Sequence, residues 1–235
     1  MPDKPVLYLL PGLLCDATVW RHQAEHLADL AGVRVPDYRD CDSLTAMAGH
    51  VLNDAPESFA VAGHSMGGRV ALEIMRAAGD RVTRLALLDT ATHPTAESEY
   101  AKRLGWVDLA REQGMTALVE TWLPPMVHPD RLGDEELMRP LRAMVEGYTP
   151  GQFAGEIRAL LERPDATPVL AGITCPTLVL CGRQDAWSTL ETHEKIAAAI
   201  AGSQLVVIED CGHFAPIERP QAVTSALRHW LSAGY

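Results

Sequence analysis

The sequence predicts an α/β protein in which a mostly parallel sheet of about six strands is covered by helices on both faces. Short, nearly continuous apolar segments alternate with helical patterns along most of the 235 residues. Apolar strands of this kind are typical of parallel sheets that are buried on both sides. Because helical patterns separate the strands, we expect βαβ crossovers. The length suits one large domain that carries a modest insertion.

Six segments have the composition of buried strands. They are residues 6–10, 33–35, 59–62, 84–88, 177–180 and 204–208. Apolar residues at helical spacing predict helices over about 17–31, 66–78 and 220–232.

The alternation of strands and helices stops between residues 92 and 165. This stretch has a helical pattern interrupted by prolines and glycines, and it contains no credible strand. We therefore predict an α/β core made of residues 1–91 and 166–235, with residues 92–165 inserted as a helical cap.

Charge and cysteine content exclude several classes of function. The net charge is −11, and an acidic surface repels nucleic acid and anionic lipid, so we expect neither as a partner. The five cysteines include no C-x-x-C pair, which argues against a metal or redox motif. No stretch resembles a signal peptide or a membrane span. A cytoplasmic protein with a small-molecule substrate is expected, and its oligomeric state is not predicted.

A candidate nucleophile lies in the segment 63–67, which reads Gly-His-Ser-Met-Gly. This G-x-S-x-G element follows a predicted strand and opens a predicted helix, which is the setting that the motif requires. Glycines on both sides allow the strand and the helix to approach each other closely. Ser65 is therefore the predicted nucleophile, and the alternative is a glycine-rich turn with an incidental serine.

A serine hydroxyl needs a neighbouring base, and His213 is favoured among nine histidines. It follows the last predicted strand, so its loop opens on the same edge of a parallel sheet as Ser65. Asp185 follows the preceding strand and is predicted to orient His213. The alternatives are a surface histidine and an aspartate that caps a turn. Three carboxylates compete with Asp185: Glu209, Asp210 and Glu218.

An oxyanion formed at Ser65 would need two N–H donors. The backbone of Met66, which follows the nucleophile, should supply one. Gly12 allows a sharp turn after the first strand, where Leu13 is the predicted second donor and Leu14 the reserve. The alternative for this loop is an ordinary Pro-Gly turn.

Three residues are predicted to line an apolar acyl or alcohol pocket: Leu14, Trp122 and Trp187. The segment 22–26 matches the zinc motif H-x-x-E-H. Its histidines lie on the polar side of the first helix and no third ligand is evident, so no metal is expected.

These motifs together resemble the α/β-hydrolase superfamily. They are Pro11-Gly12, residues 63–68, Gly182 with Asp185, and Gly212-His213. The chain is most similar to small bacterial carboxylesterases of the pimeloyl-carrier-protein methyl esterase and 3-oxoadipate enol-lactonase type. The resemblance implies an eight-stranded sheet with a helical cap. Two departures are expected: the N-terminal hairpin of two strands is missing, and Pro11-Gly12 replaces a His-Gly pair, with the loss of a stabilising hydrogen bond in that loop.

The predicted function is hydrolysis of an ester, lactone or thioester of a small, largely apolar substrate through an acyl-enzyme on Ser65. No metal or organic cofactor is required. One alternative is a C–C bond hydrolase or lyase that uses the same triad. Another is a ligand receptor without enzymatic activity, built on a hydrolase scaffold.

Overall fold

The computed structural model describes residues 4–232, and its centre is one parallel sheet of six strands. The strand order is β2-β1-β3-β4-β5-β6, and every neighbouring pair is parallel. The predicted α/β fold class is confirmed. No strand precedes β1 within residues 4–232. The strands are β1 Val6–Leu10, β2 Gly32–Arg34, β3 Phe59–His64, β4 Val82–Leu88, β5 Thr177–Gly182 and β6 Gln204–Ile208.

The strands at the middle of the sheet are the most deeply buried part of the fold. Every residue of β3 and β5 is buried, as are the last four residues of β4. The edge strands β2 and β6 remain partly exposed. This gradient follows from helices covering both faces of the central strands. All strands run the same way, so the loops after β1, β3, β4, β5 and β6 emerge at one edge of the sheet.

Ten α-helices lie within residues 4–232, together with four short 3₁₀ turns. Helix α1 packs against α10, and α2 packs against α3. None of these helices has the length and apolar character needed to cross a membrane. The helices are α1 Arg21–His26, α2 Leu44–Asp54, α3 Met66–Ala78, α4 Glu97–Trp122, α5 Glu135–Glu146, α6 Pro150–Leu161, α7 Thr167–Leu170, α8 Leu190–Ala199, α9 Ala215–Glu218 and α10 Pro220–Ser232.

The first predicted helix is shorter than expected and is split in two. Residues 17–20 form a 3₁₀ turn because the Asp16 side chain accepts the Thr18 N–H. Trp20, which follows, has non-helical angles of φ −106° and ψ 5°, and α1 begins only at the next residue. The prediction that one helix extends over 17–31 is therefore wrong, whereas those over 66–78 and 220–232 match α3 and α10.

Helices α4, α5 and α6 lie between β4 and β5, and residues 89–176, all of which are described, contain no strand. Gly114, at φ 85°, interrupts α4 with a conformation that glycine tolerates. Residues 97–161, from the start of α4 to the end of α6, are called the insertion below.

Candidate active site

Ser65 occupies the tight turn between β3 and α3. Its backbone lies at φ 54° and ψ −117°, a conformation that costs energy for any residue except glycine. Its N–H donates to the Leu88 carbonyl at 2.9 Å. A Cβ on Gly63 would overlap the Gly67 carbonyl, and one on Gly67 would overlap the Leu10 carbonyl. Both positions therefore require glycine, for the reason that the motif implied.

The structure brings Ser65, His213 and Asp185 into contact in series. The Oγ of Ser65 lies 2.8 Å from Nε2 of His213, and Nδ1 of His213 lies 2.7 Å from Oδ2 of Asp185. Because an ionised carboxylate can only accept, Nδ1 carries the proton and Nε2 can accept the serine proton. The other Asp185 oxygen accepts N–H groups from Trp187 and Ser188 at 2.8 and 2.9 Å.

Asp185 is held in its charged form although it is only 3% exposed. Burial alone would raise its pKa, but the charge of His213, the hydrogen bond to it and the two backbone N–H groups hold the pKa below its usual value. An ionised partner stabilises the imidazolium that forms when His213 takes a proton. Two of the competing carboxylates, Glu209 and Asp210, are exposed.

The third competing carboxylate, Glu218, anchors the loop that carries His213. One of its oxygens accepts the N–H groups of Gly212 and Phe214, at 3.1 and 3.2 Å. The other accepts the N–H of His128, in the insertion, at 2.9 Å. Glu218 thus fixes the backbone on both sides of His213 while Asp185 occupies the position beside the ring.

A buried polar layer supports the same loops from the sheet side. His64 donates from Nε2 to the His213 carbonyl at 2.7 Å, and burial with the nearby charge of His213 lowers the pKa of His64 to about 3. It is therefore neutral. Asp89, directly after β4, accepts N–H groups from Gly182 at 2.9 Å and Ala215 at 3.3 Å. Burial and the charge of Asp185 raise its pKa well above the usual range.

The two predicted oxyanion donors lie beside Ser65. Met66 is the first residue of α3, so its N–H has no partner within the helix. The Leu13 N–H makes no hydrogen bond within residues 4–232, and both residues line the same cavity as Ser65. The prediction of Leu14 as a reserve oxyanion donor is wrong. Its N–H already donates to Glu156 Oε2 at 2.8 Å.

The loop that carries Leu13 is held by three side chains from other elements. Glu156 of α6 accepts from Leu14 as described, Tyr38 donates to the Pro11 carbonyl at 2.5 Å, and Tyr148 donates to the Cys15 carbonyl at 2.6 Å. These bonds supply the support that the Pro-Gly sequence was expected to lack. Burial raises the pKa of Glu156 to about 8. Sequence reasoning missed Glu156, since it lies 142 residues from its partner.

A cavity of about 390 Å³ opens onto Ser65 and His213. Trp122 and Trp187, both predicted to line a pocket, lie on its surface. Leu14, the third predicted pocket residue, does not, because its side chain is fully buried in the core behind the loop. Four aromatic residues dominate the apolar part of the lining: Trp106, Trp122, Trp187 and Phe214.

The rest of the lining carries charges that the sequence analysis did not assign to the site. Arg69, Glu99, Lys102 and Arg103 all lie on the cavity surface. Sequence reasoning placed Arg69 only on the polar side of α3. Its spacing of four residues from Ser65, which is one helical turn, was the available signal.

The H-x-x-E-H segment lies outside the site. The rings of His22 and His26 stack at 4.0 Å, and His22 Nδ1 is 2.9 Å from the Thr224 hydroxyl. Within residues 4–232, no group of three or more His, Cys, Asp or Glu side chains is arranged to hold a metal ion.

Residues 7–226 match the family model described as the alpha/beta hydrolase family. Since this is most of the chain, the protein belongs to that family. The resemblance drawn from the motifs is confirmed.

Several relatives align over nearly the full length. A thermophilic esterase from Thermogutta terrifontis, solved with malate bound, is 31% identical and has a TM-score of 0.87, covering 97% of this chain and 90% of its own. The enol-lactonase from Burkholderia xenovorans LB400 is 26% identical with a TM-score of 0.89, covering 98% and 92%. A pimeloyl-[acyl-carrier protein] methyl ester esterase from Nitrosomonas europaea is 26% identical, covering 95% and 94%.

Proposed function

We propose that the protein hydrolyses carboxylic esters, including lactones or thioesters, through an acyl-enzyme on Ser65. The observation that carries this proposal is the continuous contact from the Ser65 hydroxyl through His213 to Asp185. The esterases and the enol-lactonase among the relatives support it, because they share the fold and break bonds of this kind.

In the proposed reaction, Ser65 Oγ attacks the substrate carbonyl while His213 Nε2 takes the hydroxyl proton. The oxyanion of the tetrahedral intermediate lies between the N–H groups of Leu13 and Met66. His213 then returns its proton to the leaving alcohol oxygen as the C–O bond breaks. Water attacks the acyl-serine with His213 as the base, which releases the acid and restores Ser65. No metal or organic cofactor takes part.

We further propose that residues 92–165 act as a cap over this site. Trp106 and Trp122 of α4 line the cavity that contains Ser65, so the insertion closes the side facing away from the sheet. A closed apolar wall excludes water and strengthens the hydrogen bonds to the oxyanion.

The test is replacement of Ser65 by alanine, measured as kcat/KM on short p-nitrophenyl esters. Loss of the nucleophile should lower kcat/KM on the order of 10⁴-fold or more. Ser225→Ala is the matched control, because Ser225 is exposed on α10. Thermal unfolding of both variants should match that of the wild type.

Labelling with a fluorophosphonate gives a second measurement. Wild type and Ser225→Ala should be labelled at Ser65, and Ser65→Ala should not. Wild-type turnover by Ser65→Ala would overturn the proposal. Saturable ligand binding with no turnover by the wild type would point instead to a receptor on a hydrolase scaffold.

A further inference from the structure

The cavity lining contains a cluster of charged residues with a positive excess, although the chain as a whole carries a net charge of −11. Arg69, Lys102 and Arg103 line the cavity together with Glu99. These four residues are called the charged wall. Arg163, whose side chain is fully buried, lies behind it. The charged wall and Arg163 together carry four positive charges against one negative charge.

Glu99 is already engaged by two of these cations. It pairs with Arg103 at 2.9 Å and with Arg163 at 2.5 Å, and its side chain also accepts the Ala96 N–H at the start of α4. Its pKa is lowered to about 2 by these partners, despite burial, so it remains ionised. The single carboxylate of the charged wall is thus shared by two arginines and does not pair with Arg69.

Arg69 is the cation that is left without a counter-charge. It is only 9% exposed, and it forms no ion pair with any carboxylate in residues 4–232. One guanidinium nitrogen donates to the His93 carbonyl at 3.0 Å. The remaining guanidinium nitrogens have no hydrogen-bond partner in the described chain, and the side chain lines the cavity.

The electrostatic surroundings make this arrangement costly without an anion. Burial and the charges of Arg163 and Arg103 lower the pKa of Arg69 to about 9, so the guanidinium still carries its charge at neutral pH. A buried cation that faces like charges is unfavourable unless an anion approaches it. Arg69 lies on the surface of the cavity, which offers space for an anion to contact its free N–H groups.

Lys102 adds a second cation to the cavity lining. Its Nζ lies 4.3 Å from the centre of the Trp187 ring and 5.0 Å from that of Trp106. These contacts place the ammonium group over the aromatic lining, although the residue remains exposed. Lys102 therefore adds positive potential to the cavity lining.

We propose that the charged wall is an anion subsite, and that the substrate is an ester or lactone carrying a carboxylate that Arg69 binds. This inference rests on the proposed function, because it names the substrate of the same site. Arg69 follows Ser65 by four residues, about 6 Å along the direction of α3, and both residues line the same cavity. A substrate could therefore place its carbonyl at Ser65 and a carboxylate at Arg69 within this cavity. The aromatic lining contacts the apolar chain between them.

A carboxylate fits the charged wall better than a phosphate ester does. Only one buried guanidinium is unpaired among the described residues of the wall, and the planar fork of its N–H groups matches the two oxygens of a carboxylate. The nearby Glu99 would repel the second negative charge of a phosphate monoester. The largely apolar substrate expected from the sequence is thereby revised to an apolar chain with one charged end.

The test compares half-esters with neutral esters of similar length. Monoethyl glutarate and monoethyl adipate place a carboxylate in the acyl part, and ethyl pentanoate and ethyl hexanoate are their neutral partners. Acetate esters of short hydroxy acids place the carboxylate in the alcohol part. The wild type should prefer one anionic series over its neutral partners by about tenfold or more in kcat/KM. Raising the salt concentration from about 0.02 M to about 0.5 M should reduce that preference.

Replacing Arg69 by glutamine should lower the ratio of kcat/KM for the half-ester to that for its neutral partner by about 30-fold. Arg69→Lys keeps the charge and should retain part of the preference, since a lysine cannot reproduce the fork of N–H donors. Arg142→Gln is the matched control. Arg142 lies on α5, pairs with Glu135 and does not line the cavity, so the ratio should not change.

The outcomes separate this inference from the proposed function. If neutral esters are hydrolysed in a Ser65-dependent way and neither anionic series is preferred, the subsite is wrong and ester hydrolysis stands. The subsite is equally wrong if Arg69→Gln folds and keeps the wild-type ratio. If the wild type hydrolyses no ester of either kind, the proposed function itself fails.

Inhibition of the wild type provides a measurement that does not depend on the folding of a variant. Glutarate should compete with ethyl hexanoate, whereas its uncharged diamide should inhibit at least about tenfold more weakly. Equal inhibition by both compounds would overturn the subsite.

Discussion

Replacing Glu156 by glutamine should change how the stability of the protein depends on pH. Glu156 is fully buried, one carboxyl oxygen has no partner in the described chain, and the other accepts the Leu14 N–H. Burial raises the pKa of this group from 4.5 to about 8, against the smaller lowering effects of the Leu14 hydrogen bond and Arg39.

The direction of the pH effect on stability depends on whether the folded or the unfolded state binds the Glu156 proton more tightly. The folded protein keeps the proton on Glu156 up to about pH 8, whereas the unfolded chain loses it near pH 4.5, about the ordinary value for a glutamate. The free energy of unfolding therefore falls as the pH rises through this interval. At about 1.4 kcal/mol per pKa unit, the loss reaches about 5 kcal/mol above pH 8. Glutamine cannot ionise and can still accept from Leu14, so Glu156→Gln should not show this loss.

Urea unfolding between about pH 5 and about pH 9 measures the difference. The free energy of unfolding of the wild type should fall by several kcal/mol relative to that of Glu156→Gln over this range. Glu162→Gln is the matched control, because Glu162 is exposed at the end of the same helix, and its profile should follow that of the wild type. Parallel profiles for the wild type and Glu156→Gln would refute the reasoning, since they would mean that folding does not change the proton affinity of Glu156.

Two further predictions address the triad and the start of α3. Asp185→Asn should lower kcat on p-nitrophenyl esters on the order of 10³- to 10⁴-fold, because the amide no longer stabilises the imidazolium; a variant within tenfold of the wild type would exclude Asp185 as the orienting acid. Gly67→Ala should lower the free energy of unfolding by about 3 kcal/mol or more, since its Cβ would overlap the Leu10 carbonyl. Gly49→Ala in α2 is the control, because a Cβ there meets nothing within 4 Å, and it should stabilise the protein by up to about 1 kcal/mol. Equal melting temperatures for the two glycine variants would contradict the close contact between Gly67 and the Leu10 carbonyl.

The parts of the fold that the sequence predicted best are those determined by neighbouring residues. Helix α3 has the bounds 66–78 that were predicted, because its start follows the strained turn at Ser65 and its apolar pattern ends near Gly79. The first helix was predicted poorly for the opposite reason. Its apolar spacing continues past Leu27, but α1 ends at His26, Leu27 caps it at φ −109° and ψ −4°, and residues 27–30 form a turn.

The candidate site likewise contains residues that the sequence predicted and residues whose roles depend on distant contacts. Ser65, Asp185 and His213 each end or follow a strand, and parallel strands bring such positions to one edge, so topology alone predicted their contact. Glu156 carries no local signal of a role, and the only local signal for Arg69 is its spacing of four residues from Ser65. The first acts on a loop 142 residues away, and the second is important because Glu99, on α4, already has two partners. Contacts between residues so far apart in sequence depend on tertiary packing, which the periodic pattern of apolar residues does not reveal.

The insertion contributes more to the site than a covering surface. Its Met126 carbonyl accepts the His213 N–H at 2.7 Å, and its His128 N–H donates to Glu218, which holds the same loop. Glu156 and Tyr148 hold the loop of Leu13, the predicted second oxyanion donor. The insertion therefore fixes the backbone around both the predicted base, His213, and the predicted oxyanion donor Leu13. If the insertion moved as a lid, it would also displace these backbone segments, and a small displacement of catalytic groups weakens catalysis greatly. Small side-chain shifts in the cavity lining would admit substrate with less change in the structure.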